Sequence, residues 1–360
     1  MTSRLSYRWA VAATVLAAAP VALGLHVAAQ APRAVSGGAT GSYVVPKTAW
    51  GHPDIMGIWN NATTTTLERM TSEERDLLQK AMAPVRATTD GTGAGNLDTG
   101  KPIEQPSLLV DPPDGRIPLT QAAIKRLADR ENARAHRSEA DSWLDRNSWE
   151  RCISRGMPTA MIPNLYNNYY QVLQTPTYVA ILIEMIHDVR IVTLDGRPHV
   201  HDNVRKWFGD SRGRWEGDTL VVETTNFVDR IDGGDLQPSH VIQTGYRGSG
   251  KTLKLVERFT RTGPRTIDYR FTVDDPVTFT RPYTVAIPWR KDDTLNFIPE
   301  YACHEANHSM VNLLSAGRSN EAQAMEGARL VREQRINGGH PGVREPAKPF
   351  IALPPGTKQQ

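Results

Sequence analysis

The sequence predicts a mainly β protein: an antiparallel meander closed into a barrel, with helices before and after it. Three observations carry this. Trp215, the Glu216-Gly217-Asp218 corner and the Val- and Thr-rich run Thr219 to Thr224 form a strand, tight turn, strand pattern. The same grammar recurs on both sides of that hairpin. A β-branched stretch from Tyr178 to Leu194 ends at Asp195-Gly196, and Leu253 to Thr262 turns at Gly263-Pro264 into Thr266 to Val273, with Tyr283 to Trp289 beyond. Counting these gives about seven or eight strands, with turns at the intervals of an all-β barrel or sandwich. A barrel is the preferred form because closure leaves no exposed edge, and a β-sandwich is the alternative.

The elements follow in chain order. Residues 1–29 have the layout of a secretory signal: Arg4 and Arg8, an apolar run from Trp9 to Leu25, then Ala28 and Ala29. The run is Ala-rich and broken by Pro20, short for a membrane span, so no stable span is expected once it is cleaved. This places the mature chain in the periplasm or outside the cell. Losing residues 1–29 removes two of the 42 basic residues and no acidic one, so the net charge of +3 becomes +1. A chain so nearly neutral has no electrostatic case for nucleic acid. In an oxidising compartment its two cysteines, Cys152 and Cys303, are expected to pair, with two buried free thiols as the alternative.

Residues 30–48 have a linker composition, and 49–154 read as a helical and irregular segment packed on the core. Within it, Thr71 and Glu74 make a capping box, Asp111 to Gly115 is a turn, and Thr120 caps a charged helix reaching about His136. The barrel core spans 155–300. Helical character returns at 302–318 and 321–334, making 301–336 the C-terminal helices, and 337–360 is a Pro/Gly-rich tail.

Several groups of residues are candidates for chemistry. His304-Glu305-Ala306-Asn307-His308 matches His-Glu-x-x-His; on a helix, His304 and His308 would share a face and hold zinc while Glu305 took a proton from bound water. Glu326 is the candidate third ligand. Glu184, His187, Asp188 and Arg190 form a second constellation. On a regular strand Glu184, Asp188 and Arg190 share a face and His187 points away, so Glu184 and Arg190 are a candidate buried pair and Glu184 or His187 a candidate acid or base. Asn167, Tyr169, Tyr170, Arg190 and Trp215 offer amides, a cation and ring faces to a ligand. The leading expectation is a protein that binds a small, partly apolar molecule in a barrel pocket, without a cofactor. The alternatives are a lyase, isomerase or hydrolase using Glu184, His187 or Glu305 in that pocket, or a zinc hydrolase using His304 and His308.

Trp-Gly-His-Pro-Asp at 50–54, Tyr-Asn-Asn-Tyr-Tyr-Gln at 166–171, Glu184 to Arg190, the central hairpin and Tyr-Ala-Cys-His-Glu at 301–305 together resemble an uncharacterised family of exported bacterial proteins. The resemblance implies export and no particular activity. That family commonly carries an aromatic residue where this chain has His308, so the resemblance does not extend to a two-histidine site. The strand order is also similar to that of lipocalin-type barrels, an analogy of fold alone.

Overall fold

Alternation decides which side chains turn inward. In β8 (Lys254–Gly263) Leu255, Glu257, Phe259 and Arg261 are buried, and in β9 (Thr266–Asp274) Ile267, Tyr269, Phe271 and Val273 are, with more exposed residues between them. A computed structural model describes residues 43–76, 100–135, 143, 146, 148–164, 166–229, 250–305 and 307–336. The expected signal segment 1–29, linker residues 30–42 and tail 337–360 lie outside the described residues.

The other strands are β1 (Gly57–Asn60), β2 (Leu109–Asp111), β3 (Tyr169–Gln174), β4 (Tyr178–Ile183), β5 (Val189–Thr193), β6 (Asp210–Glu216), β7 (Thr219–Thr225) and β10 (Tyr283–Lys291). They pair in the order β1-β3-β4-β5-β6-β7-β8-β9-β10, and β1 also pairs with β10. The sheet therefore closes as a barrel of nine strands. β1 holds the far end of β10 through Trp59 opposite Lys291, while β2 occupies the same edge nearer its start, with Asp111 opposite Thr284.

The meander is antiparallel at every ladder but one. β5 and β6 run parallel and pair only at Val192 with Ser211 and Thr193 with Arg212. Residues 194–209 between them are long enough to carry the chain back before it enters β6, which a hairpin turn cannot do. Gly213 permits the close approach, since a Cβ there would lie 2.6 Å from Val192 Cγ1. Gly209, the last residue before β6, has φ of 67°, and a Cβ on it would lie 2.4 Å from the Thr225 carbonyl oxygen.

Aromatic side chains from distant parts of the chain fill the barrel. Trp289 stacks on Tyr170 with ring centres 4.4 Å apart, meets Phe259 edge-on at 5.5 Å and lies 5.0 Å from Tyr269. Trp59 joins them, fully buried. Such pairs add about 0.5–1.5 kcal/mol each beyond the area they bury. The interior expected to hold a ligand is thus a packed core.

Flanking segments are fastened by side chains reaching across the sheet. Gln174 accepts from the Ile55 N–H at 2.7 Å and donates to the Pro53 carbonyl at 3.0 Å, while Arg261 donates to the Asp54 carbonyl at 2.8 Å. These bonds seat residues 53–55 on the barrel. Elsewhere Asn61 donates to the Met161 carbonyl at 3.0 Å and Tyr170 Oη to that of Ala160 at 3.2 Å. The capping box forms, with Glu74 accepting from Thr71 N at 2.8 Å and Thr71 Oγ1 from Glu74 N at 3.2 Å. Helix α1 (Gln121–Ala135) begins where Thr120 Oγ1 accepts from the Ala123 N–H at 3.1 Å. The C-terminal helix α2 is continuous over His308–Ile336, without the interruption expected near residue 320. Among the described residues no helix is long and apolar enough to cross a membrane.

Candidate functional site

The chain between β4 and β5 bends instead of continuing as a strand. Met185–His187 is a short 3-10 turn in which Ile186 (φ 64°) and His187 (φ 47°) are left-handed. A β-branched residue in that region is a rare conformation, of the kind that concentrates at functional sites. The bend breaks the two-residue period, so Glu184 no longer shares a strand face with the residues after it. Buried Glu184 accepts from the Tyr169 N–H at 3.1 Å. Exposed His187 has Nδ1 2.7 Å from the Tyr301 carbonyl oxygen. A carbonyl only accepts, so Nδ1 is the donor in this contact.

Arg190 turns into the barrel, and its partner is Glu257 rather than the candidate Glu184. The pairing is bidentate, Nη2 to Oε2 at 2.6 Å and Nη1 to Oε1 at 3.0 Å, between side chains 1% and 0% exposed. Tyr269 Oη donates to Glu257 Oε1 at 2.8 Å. Burial, then the adjacent Glu257 carboxylate, hold the Tyr269 phenol well above its ordinary pKa, which keeps it a donor. Arg190 Nη2 also reaches Ser211 Oγ at 3.5 Å, and Ser211 bonds Thr224 at 2.9 Å.

Because β5 and β6 pair at only two positions, the wall opens beside Arg190. Strand β5, the start of β6 and parts of the loop 194–209 bound a cleft of about 820 Å³. Val189, Ile191, Trp207 and Phe208 give it apolar surface, and Asp188, Arg197, Lys206, Asp210 and Arg212 are its charged members besides Arg190. Asp210 is held by its neighbours. Burial raises its pKa, but hydrogen bonds from Arg212 at 2.9 Å, His199 at 3.1 Å and the Val200 N–H at 3.3 Å outweigh that and keep it below the usual range.

Asp188 is different. Burial pushes its carboxyl up to about 6, against a smaller opposing effect of His187, and no side-chain hydrogen bond or ion pair engages it among the described residues. A pKa raised by folding means that protonated Asp188 favours the fold. That contribution is complete below about pH 4 and is lost as pH rises through about 6. Asp188→Asn should therefore raise the melting temperature near pH 8 and leave it almost unchanged near pH 4. Thermal melts of both proteins at the two pH values check this; equal melting points near pH 8 would show that the carboxylate bears no burial cost.

A smaller cleft of about 580 Å³ lies by the Cys152–Cys303 disulfide, lined by Trp149, Tyr166, Tyr301, Asn307 and Leu313 among others. Burial first, then Tyr301, push the Tyr166 phenol up to about 12.

The remaining sequence candidates take structural or separate places. Tyr170 is in the core, accepting from Asn61 Nδ2 at 3.0 Å, and Tyr169 donates to Asp292 at 3.0 Å. Asn167 is a left-handed turn residue before β3. Trp215 is half-buried with its ring 5.6 Å from that of His52.

The zinc constellation does not assemble. Asn307 Oδ1 accepts from the Met310 N–H at 3.3 Å, making Asn307 the N-cap of α2, so His308 opens the helix while His304 and Glu305 lie in the exposed turn before it. Glu326 is on the same helix as His308, about 27 Å further along at the helical rise, and is paired with Arg329 at 2.6 Å. Among the described residues no three His, Cys, Asp or Glu side chains are placed to hold a metal.

Sequence reasoning missed Glu257, although a carboxylate between Leu255 and Phe259 on an inward-facing period of two was its signal. It named Asp188 without singling it out, and passed over Lys206 and Phe208.

Fold and site together define a closed mixed β-barrel with a packed interior and an opening in its side wall. Comparison with protein-family models, with curated proteins and with solved structures finds no match in any of the three.

Proposed function

We propose that this is an exported protein that binds a small, partly apolar molecule in the β5–β6 cleft, outside the barrel wall. Export rests on the signal-like residues 1–29, the resemblance to an exported family and the Cys152–Cys303 disulfide, which suits an oxidising compartment. The observation that carries the binding reading is the cleft itself. Its volume of about 820 Å³ falls in the range of small-molecule sites. Val189 and Ile191, 54% and 52% exposed, turn aliphatic surface into it beside a few charged groups.

Ile191→Trp tests this at a position already half in solvent, so the added ring fills the cleft without entering the core. A library of small aromatic and alicyclic compounds should raise the melting temperature of the parent protein through some of its members. Those shifts should vanish in the variant, whose own melting point should stay within a few degrees of the parent. A library that stabilises neither protein, or hits that persist in Ile191→Trp, would remove the reading.

One observation favours a second reading, an acid-base enzyme working in the same cleft. Asp188, with a pKa raised to about 6, suits proton transfer near neutrality. Of the candidates named from sequence, His187 adjoins this residue with Nδ1 on the Tyr301 carbonyl, Glu184 accepts from the Tyr169 N–H, and Glu305 lies in the exposed turn before α2.

A further inference from the structure

We infer that the cleft selects an apolar molecule bearing a protonated amine, with Asp188 as its counter-ion and Trp207 and Phe208 supplying aromatic surface. The inference rests on the cleft-binding reading and narrows it to a chemical class.

The charges lining the cleft decide the class. Each cation there faces an acid of the protein: Arg190 meets Glu257 at 2.6 Å, Arg197 meets Asp195 at 2.6 Å, and Arg212 meets Asp210 at 2.9 Å. Lys206 lies 3.6 Å from the same Asp210 carboxylate. An anionic ligand would have to compete with those carboxylates for every cation. Asp188 is the exception among the lining charges: a half-buried carboxylate that no side-chain hydrogen bond or ion pair engages among the described residues. A carboxylate withdrawn from water without a partner carries a desolvation cost, and a bound ammonium is the group that offsets it most fully, through a charge-assisted hydrogen bond. Aromatic rings attract the same cation by their π faces, and the aliphatic side chains of Val189 and Ile191 suit a hydrocarbon body.

The bend before β5 sets where Asp188 enters the strand. Left-handed Ile186 and His187 turn the chain immediately before Asp188, which is extended and lines the cleft at the start of β5, while Arg190 two residues later bonds Glu257.

The test uses three probes of one shape, 1-naphthylmethylamine, 1-naphthylmethanol and 1-naphthoic acid, titrated calorimetrically into the mature oxidised protein, Asp188→Asn and Ile191→Trp near pH 7.5. The amine should bind the parent about tenfold or more tightly than the alcohol, with the acid weakest. Asp188→Asn should erase the advantage of the amine while changing the affinity of the alcohol by less than about twofold. Its melting point should be at or above that of the parent, so lost binding is not lost folding. Equal binding of amine and alcohol, tighter binding of the acid, or an amine advantage that survives Asp188→Asn would overturn the inference and leave the cleft reading in place. Absence of binding by all three probes, or binding unchanged in Ile191→Trp, would overturn the inference together with the cleft reading beneath it.

Discussion

Glu257→Gln is expected to destabilise the protein by about 3–5 kcal/mol, a large part of the total stability of most proteins. The substitution keeps the shape of the side chain and removes its charge. Arg190, 1% exposed at its side chain, then keeps a full positive charge in the barrel with no counter-ion at 2.6 Å, and Tyr269 loses an ionised acceptor. Arg190→Met should cost a similar amount by leaving Glu257 as the unpaired charge. The double variant Arg190→Met with Glu257→Leu should recover most of the loss, because a buried pair replaced by apolar side chains of similar volume is near neutral or better. Urea denaturation midpoints of these three variants and of the single Glu257→Leu measure this, and a strong non-additivity between Arg190→Met and Glu257→Leu identifies the pair as the cause. Single-variant losses below about 1 kcal/mol would show that water reaches the pair.

Breaking the disulfide should have the next largest effect. Cys152 and Cys303 are 151 residues apart, and their bond brackets almost the whole barrel. Closing a loop of that length constrains the unfolded chain by about 5 kcal/mol in the entropy model, an upper figure. The double variant Cys152→Ser with Cys303→Ser should melt on the order of 10 °C below the oxidised parent, and reductant should lower the parent alone toward the same value. The bond also holds residues 301–303 near the site: Tyr301, two residues before Cys303, accepts the hydrogen bond from His187 at the bend. A shift of less than about 2 °C would mean that the flanking segments stay in place without the bridge.

Much of the barrel is legible in the sequence because alternation is a local signal. β8 as far as Arg261 and the whole of β9 alternate without a break, and the β6–β7 corner at Gly217 announces its hairpin. Thr120 and the Thr71–Glu74 box mark helix starts for the same local reason. Closure is different. β1 has four residues, and Trp59 takes its place only through the ladders to both β3 and β10. The parallel β5–β6 ladder depends on the path of residues 194–209, which no periodicity encodes.

The site was less legible than the fold for two physical reasons. The first is the bend at Ile186 and His187, non-glycine residues in a left-handed conformation that composition does not announce. A strand period carried through it misassigned the partner of Arg190. The second is volume. Whether a barrel encloses a chamber depends on how its inward side chains add up, and Trp59, Tyr170 and Trp289 meet from remote parts of the sequence. The His-Glu-x-x-His spacing was present, but Asn307 within it is a strong N-cap, and capping fixed the helix start at His308.

Hydrogen–deuterium exchange of the mature, oxidised protein, with and without 1-naphthylmethylamine or the best stabilising compound, locates the site most directly. Ligand in the side-wall cleft should slow exchange in residues 188–191 and 206–210 and leave β9, around Tyr269 and Phe271, unchanged. Protection centred on β9 and β10, with none at 188–191 or 206–210, would place the ligand inside the barrel and contradict a site in its wall.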